Sequence, residues 1–318
     1  MKVLITGGAG FIGSHLADFL LEKNVGEIYI GHWSGEKTEN IDHLKGKINF
    51  VNLDIKSTEN VRNIISKIRP DIIFHLAAQS YMTESWKDPK GTLETNIIGT
   101  FNIFDAVIKE GIDPIILSIC SSAEYGMIKK DEVPVKETNE FRPLSPYSVS
   151  KVAQDMLSYQ YSKSHNLKII RVRFFNITGP RKKYDACSDF AKGIVDVENG
   201  NNDFLKVGNL EGVRDFTDVR DAVNALWTLY KKGEHGDVYN VCSGNGIKVG
   251  DILDKLLKMA TKDVRIEQDK EKLRVIDDPL YIGDNTKISK LGWQPEIDID
   301  KTLSDMMDYW RCKINGKK

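Results

Sequence analysis

The chain has 318 residues, 41% of them hydrophobic and 29% charged, and its 45 Lys and Arg against 46 Asp and Glu leave a formal net charge of −1. That length buries a substantial core in one large or two modest domains, with no need of a metal or disulfide to hold it. The balanced charge excludes a chain-wide field for nucleic acid, so any anion site is local, and the composition indicates neither a disordered tail nor a membrane span.

In chain order, Lys2–Thr6 is a short apolar run, a glycine-rich turn follows, and Phe11–Glu22 repeats apolar side chains at Ile12, Leu16, Phe19 and Leu20 with helical spacing. Further apolar runs fall at residues 27–30, 48–51, 72–76, 115–119 and 169–172, and between them lie helical stretches at Thr58–Ile68, 93–109 and Pro146–Ser164. Each of these is long enough to cross a sheet face, as parallel strands require, so the alternation predicts an α/β fold with a doubly wound parallel sheet. After about residue 176 the rhythm breaks. Helices are expected at 188–198 and 219–231, a strand at 237–241, and two further helices at 250–260 and 301–310 in a smaller α/β lobe. Residues 1–175 form the first domain in this reading, 214–245 return to it, and 176–213 with 246–318 make the second lobe.

Nothing ahead of the first run has the basic region, apolar stretch or cleavage site of a secretory signal. Cys120, Cys187, Cys242 and Cys312 make no CxxC pair and no cluster at metal-ligand spacing, so a reducing, cytoplasmic setting without a bound metal is the expectation.

The sharpest motif is Gly7-Gly8-Ala9-Gly10-Phe11-Ile12-Gly13, with Gly7, Gly10 and Gly13 spaced as GxxGxxG between the first strand and the first helix. Such a turn needs unusual backbone angles, open access for a diphosphate, and close packing of helix on strand. The helix start then offers free N–H groups, here those of Phe11, Ile12 and Gly13, and a positive dipole end to the phosphates. A lone glycine triplet is no more than a tight turn; at this place it identifies a dinucleotide site and a Rossmann domain. An acid closing the second strand would bind the ribose 2′-hydroxyl of NAD(H), but the segment reads Ile30-Gly31-His32-Trp33-Ser34. His32, Ser34 and Lys37 suit a 2′-phosphate and favour NADP(H) over NAD(H), while Glu36 counts against it and a solvated loop fits equally well. Asp54, followed by Ile55, either accepts from the adenine or caps a turn. Leu76-Ala77-Ala78 supplies small residues where backbone must approach a cofactor.

Tyr147 and Lys151 stand four residues apart after Pro146 at a helix start and so share one face. A tyrosine ordinarily loses its proton near pH ~10, and a neighbouring ammonium favours the phenolate. Tyr147 is therefore expected to have a lowered pKa and to exchange protons with a substrate oxygen. Ser121 or Ser122, after the fifth strand, lies at the carboxyl edge of the sheet, where such folds place ligands. His75 within its strand reads as a bonded core residue, Cys120 as packing, and Trp227, Tyr230, Tyr309 and Trp310 as apolar helix faces.

The segments TGGAGFIG, FHLAAQS, Ser121-Ser122 and Tyr147-Ser-Val-Ser-Lys151, in this order, resemble the extended short-chain dehydrogenase/reductases that act on nucleotide sugars. Later stretches, including Arg214-Asp215-Phe216-Thr217-Asp218-Val219 and Val238-Tyr239-Asn240-Val241, are similar to the branch holding GDP-mannose 4,6-dehydratases and GDP-4-keto-6-deoxymannose reductases. The resemblance spans nearly the whole chain. It implies a nucleotide-diphosphate sugar as substrate, with GDP favoured, and a homodimer formed through the helices at 93–109 and Pro146–Ser164, with no nucleic acid or membrane partner. It also implies hydride delivery to C4 of a keto sugar, a proton from Tyr147, a ribose contact from Lys151 and an orienting bond from Ser121. Ser122, Glu124, Asn176, Lys192, Arg214 and Arg274 would then bind the substrate, the arginines gripping the diphosphate.

A dehydratase needs a carboxylate just after the hydroxyl residue to remove a C5 proton. Those positions hold Ser122 and Ala123, and Glu124 falls one place late, where it reads as an exposed loop acid. A keto reductase is therefore favoured. Epimerase and dehydratase stay open, as does a dinucleotide-binding sensor with idle chemistry.

Overall fold

The computed structural model describes residues 1–269 and 280–316. Seven parallel strands form the main sheet: β1 (Lys2–Thr6), β2 (Glu27–His32), β3 (Asn49–Asn52), β4 (Ile72–His75), β5 (Ile115–Ser121), β6 (Lys168–Phe174) and β10 (Val238–Val241), in the order β10-β6-β5-β4-β1-β2-β3. β1 pairs with β2 on one side (Val3 opposite Ile28) and β4 on the other (Val3 opposite Ile72), so the order reverses at β1 and a crevice opens past its carboxyl end.

Two helix layers cover the sheet, and alternation along each strand assigns side chains to them. Val3, Ile5, Phe74, Leu117 and Val172 pack on the side of α1 (Phe11–Glu22) and α8 (Val219–Lys232). Leu4, Ile73, Ile116 and Ile169 pack on the side of α2 (Thr58–Ile68), α5 (Gly99–Lys109) and α6 (Pro146–Ser164). α6 starts as the sequence requires: Ser145 caps it by accepting the Ser148 N–H, and Pro146 takes the first turn.

The helix expected over 93–109 is broken. After α3 (Met82–Lys87) and α4 (Pro89–Leu93), a wide π turn at Glu94–Ile98 precedes α5. The turn lets the buried Asn96 bond both Gln79 backbone groups and the Ser150 hydroxyl at 2.8–3.0 Å, tying the loop after β4 to α6.

The chain leaves the main sheet at β7 (Asn176–Thr178). It runs through α7 (Ala186–Glu198), β8 (Leu205–Val207) and β9 (Val213–Asp218) before returning along α8 and β10. β9 pairs with β7, β11 (Gly246–Lys248) and β13 (Leu280–Tyr281), so residues 214–218 belong to the smaller sheet and the return begins at Val219, not at 214. Phe216 explains the difference, for it is buried in the second core. That core joins α7 to α9 (Val249–Lys258) and α11 (Ile299–Ile314) through Phe190, Ile194, Leu253, Leu256, Met306 and Trp310. β12 (Ile266–Gln268) pairs with β8, and the short α10 (Thr286–Ser289) sets Ile288 back against the first core. Among the described residues no helix is long and apolar enough to cross a membrane.

Candidate active site

Between β1 and α1, Gly7 has φ +65°, and a Cβ on it would lie 2.8 Å from the Ala77 backbone. A Cβ on Gly13 would meet the Gly7 carbonyl at 2.5 Å, whereas one on Gly10 would meet only that same carbonyl, at 3.1 Å. The loop is thus closed against the protein at Gly7 and Gly13 and open at Gly10. No side chain caps α1 and no acid stands in its first turn, which leaves the amides of Phe11, Ile12 and Gly13 without a competing carboxylate. Such a cradle fits a dinucleotide diphosphate. Its far wall is fixed by Thr6, whose hydroxyl accepts the Ala77 N–H at 3.0 Å, with Leu76 and Ala78 half-buried on either side. His75 lies between the Thr6 and Thr100 hydroxyls at 2.9 Å, and burial pushes its pKa down to about 3, the state of a bonded core imidazole.

His32 is half-buried, with Nδ1 3.3 Å from the Trp33 carbonyl, and Ser34 and Lys37 are exposed. Glu36 is pushed up by burial to about 7, so much of its charge is lost near neutrality and its objection to a 2′-phosphate weakens. Asp54 serves a turn, accepting the Lys56 N–H at 3.0 Å. The Ile55 side chain is core, close enough to α5 that a Cβ on Gly99 would lie 2.5 Å from its Cδ1.

At the carboxyl end of β5 the Ser121 hydroxyl lies beside the Tyr147 phenol, which approaches from the first turn of α6. Against expectation the phenol is not made more acidic. Burial, with the Glu124 carboxyl adding to it, raises its pKa to about 12, and the nearby Ser121 hydroxyl only partly offsets this. The reason lies with Lys151. Its ammonium is buried and held by the Ile119 carbonyl and Gln154 Oε1, both at 2.8 Å, so it is committed to β5 and its own helix. Gln154, one turn along from Lys151, passed unremarked in the sequence because a glutamine at that spacing has many uses.

Ser122 is buried, and its carbonyl accepts the Tyr281 hydroxyl. Glu124 is neither an exposed loop acid nor a substrate ligand: it is fully buried, with Oε1 accepting the Ser121 N–H at 2.8 Å and Oε2 3.3 Å from Arg173.

In the smaller lobe Asn176 starts β7 half-buried and donates to the Asp215 carbonyl at 3.1 Å. Lys192 pairs with Asp196 at 2.5 Å and, with Tyr184, Asp189, Asp203 and Lys206, lines a cavity of about 690 Å³ between α7 and β8. Arg214 lies on β9 with Nη1 2.9 Å from the Val213 carbonyl, and Arg274 lies outside the described residues. Sequence reading missed Tyr184, which stacks edge-on against Tyr81 with centroids 5.1 Å apart and so links the loop after β4 to this cavity.

Comparison with known proteins adds to this geometry. The family model described as GDP-mannose 4,6 dehydratase matches residues 4–306. A GDP-6-deoxy-D-mannose reductase of Pseudomonas aeruginosa is 28% identical over 98% of both chains. Two solved structures share the fold at TM-scores of 0.84 and 0.88. The first is RMD from P. aeruginosa complexed with NADPH, 28% identical and covering 98% of this chain and 99% of that one. The second is the UDP-glucose 4-epimerase of Thermotoga maritima with UDP-glucose, 29% identical over 99% and 100%.

Proposed function

The chain belongs to the GDP-mannose 4,6 dehydratase family, and we propose that within it the protein is an NAD(P)H-dependent reductase of the 4-keto group of a nucleotide-activated 6-deoxy sugar, GDP-4-keto-6-deoxy-D-mannose above others. The family acts on nucleotide sugars with a nicotinamide dinucleotide. The observation that carries the choice of reaction is the inward turn of Glu124, the acid of the loop after β5 that stands nearest in sequence to Ser121, which takes away the base a 4,6-dehydration needs at that place.

A bound reduced nicotinamide supplies the hydride. Tyr147, whose phenol keeps its proton far above neutral pH, gives that proton to the oxygen of the reduced carbon, and Ser121, beside the phenol, hydrogen-bonds the same oxygen and sets its angle. Lys151 and Gln154 brace β5 beneath them. Of the dinucleotides, NADP(H) is favoured by the absence of an acid at the end of β2 and by the half-neutral Glu36. Substrate binding falls to Asn176, Lys192 and Arg214 around the smaller lobe, with Arg274 as a further cation of that lobe's sequence. Two copies are proposed to pair through α5 and α6, where Phe101, Ile108, Val149, Met156 and Tyr159 are exposed apolar groups on adjacent helices.

The test is NADPH and NADH oxidation against 4-keto-6-deoxy sugars carrying GDP, dTDP, UDP or CDP. Stoichiometric oxidation with the GDP sugar is the expected result. Likeness to the T. maritima enzyme favours a second reading, epimerisation through the same Tyr147 and Ser121. Interconversion of UDP-hexoses without net cofactor consumption would establish it in place of the reductase.

A further inference from the structure

Glu124 has no part in the chemistry above, yet it is fully buried beside it, and a buried acid needs partners that repay its lost hydration. Its Oε1 accepts the Ser121 N–H at 2.8 Å, while Ser121 Oγ accepts the Ala123 N–H at 3.2 Å. Residues 121–124 thereby close on themselves as a reciprocal cap. That ring fixes both the Ser121 backbone and the direction of its hydroxyl, the group beside the Tyr147 phenol.

The other Glu124 oxygen faces Arg173 on β6, with Nε at 3.3 Å. Arg173 donates to Asp155 Oδ2 at 2.9 Å, and Arg171 takes Oδ1 at 2.7 Å. Asp155 stands on α6, two turns beyond Tyr147. A buried relay therefore joins the tip of β5 to the helix that carries the phenol. Arg173 is held from the remaining sides by the Tyr125 hydroxyl at 2.8 Å, the Glu137 carbonyl at 2.9 Å and the rings of Phe141 and Tyr125.

We propose that Glu124 is a positioning residue: held between the Ser121 amide and the Arg173 guanidinium, its carboxyl sets the Ser121 hydroxyl at the Tyr147 phenol and so governs turnover without touching substrate or cofactor. The inference rests on Ser121 and Tyr147 handling the substrate oxygen, a premise common to the reductase and epimerase readings.

A double-mutant cycle separates this from a role in stability alone, because a group acting through Ser121 has nothing to act on once Ser121 is gone. Glu124→Ala is made in the native chain and in Ser121→Ala, and kcat, KM and dinucleotide Kd are measured on the activity the native chain shows. In the native background Glu124→Ala lowers kcat about 10- to 100-fold, with KM and Kd moving less than about threefold. In the Ser121→Ala background it changes kcat less than about threefold. Glu124→Gln, whose amide oxygen still accepts the Ser121 N–H, regains most of the loss. Equal losses in both backgrounds, or a change confined to melting temperature, would overturn the inference. If alanine at 124 prevents folding, Arg173→Lys, which keeps the charge but removes the Nε contact, takes its place in the cycle with the same two outcomes. A native chain inactive in every assay refutes the function proposed above; an active one with additive losses refutes only this inference.

Discussion

At the tip of β1 the chain presents bare backbone, whereas at the tip of β5 it nests one buried side chain inside another. The first loop needs only that Gly7, Gly10 and Gly13 lack a Cβ, and its ligands are amides that no side chain has to aim. The second depends on Ser121, Glu124, Arg173 and Asp155, drawn from β5, its loop, β6 and α6. Backbone recognition suits a cofactor shared by a whole fold. Oriented hydroxyls suit a reaction that must place one proton on one oxygen.

The largest effect should come from the β5 side. Tyr147→Phe removes the proton donor and leaves the glycine loop intact, so kcat should fall about 10²- to 10⁴-fold while dinucleotide affinity, followed by fluorescence titration, stays unchanged. Joint loss of both would mean that the two tips are not separable. Next is Arg173→Met, which strands the buried Glu124 without its cation and leaves Asp155 to Arg171 alone; chemical denaturation should show a loss of about 3–5 kcal/mol. A loss under about 1 kcal/mol would mean that Glu124 is held as a neutral carboxyl and that Arg171 alone satisfies Asp155.

This contrast also explains what the sequence made legible. GxxGxxG and the Tyr147/Lys151 pair are local: strand, turn and helix lie within a dozen residues, and the physical demand acts position by position. The near-continuous burial of β1, β4, β5 and β6, which writes itself as unbroken apolar runs, is local as well, and so the sheet was readable. Glu124 was misread as exposed because its partners are remote: Arg173 comes from another strand, and the neighbouring Tyr125 hydroxyl is answered by Asn240, 115 residues away. Lys151 was misread differently. Its spacing from Tyr147 was right, but spacing cannot reveal that the Ile119 carbonyl and Gln154 hold the ammonium. The π turn before α5 and the place of β9 in the smaller sheet followed from Asn96 and Phe216, whose roles only tertiary packing defines.

On the β1 side, Gly7→Ala puts a residue at φ +65° and a methyl 2.8 Å from the Ala77 backbone. The left-handed angle alone costs roughly 1–2 kcal/mol, so dinucleotide Kd should rise about tenfold while kcat at saturating cofactor is nearly retained. A matching fall in kcat would show that strain at β1 reaches the β5 tip.

An effect of similar size, felt only as the pH falls, belongs to a titratable group that buttresses the glycine loop. His15, one turn into α1, donates Nε2–H to the Pro180 carbonyl at 2.8 Å, beside the Arg181–Asp18 ion pair. Burial first, then the Arg181 charge, push its pKa down to about 4, against 6.5 for the free group. Between those values the unfolded chain binds the extra proton and the folded chain does not, so His15 removes stability as pH falls through the window and costs nothing above it. The difference between pH 7 and pH 5 is about 2 kcal/mol. Urea denaturation of the native chain and of His15→Gln at both pH values should therefore show a shallower pH dependence in the variant by about that amount. Parallel pH dependences would mean that the imidazole is hydrated, and that the β1 tip is as indifferent to protons as its bare backbone implies.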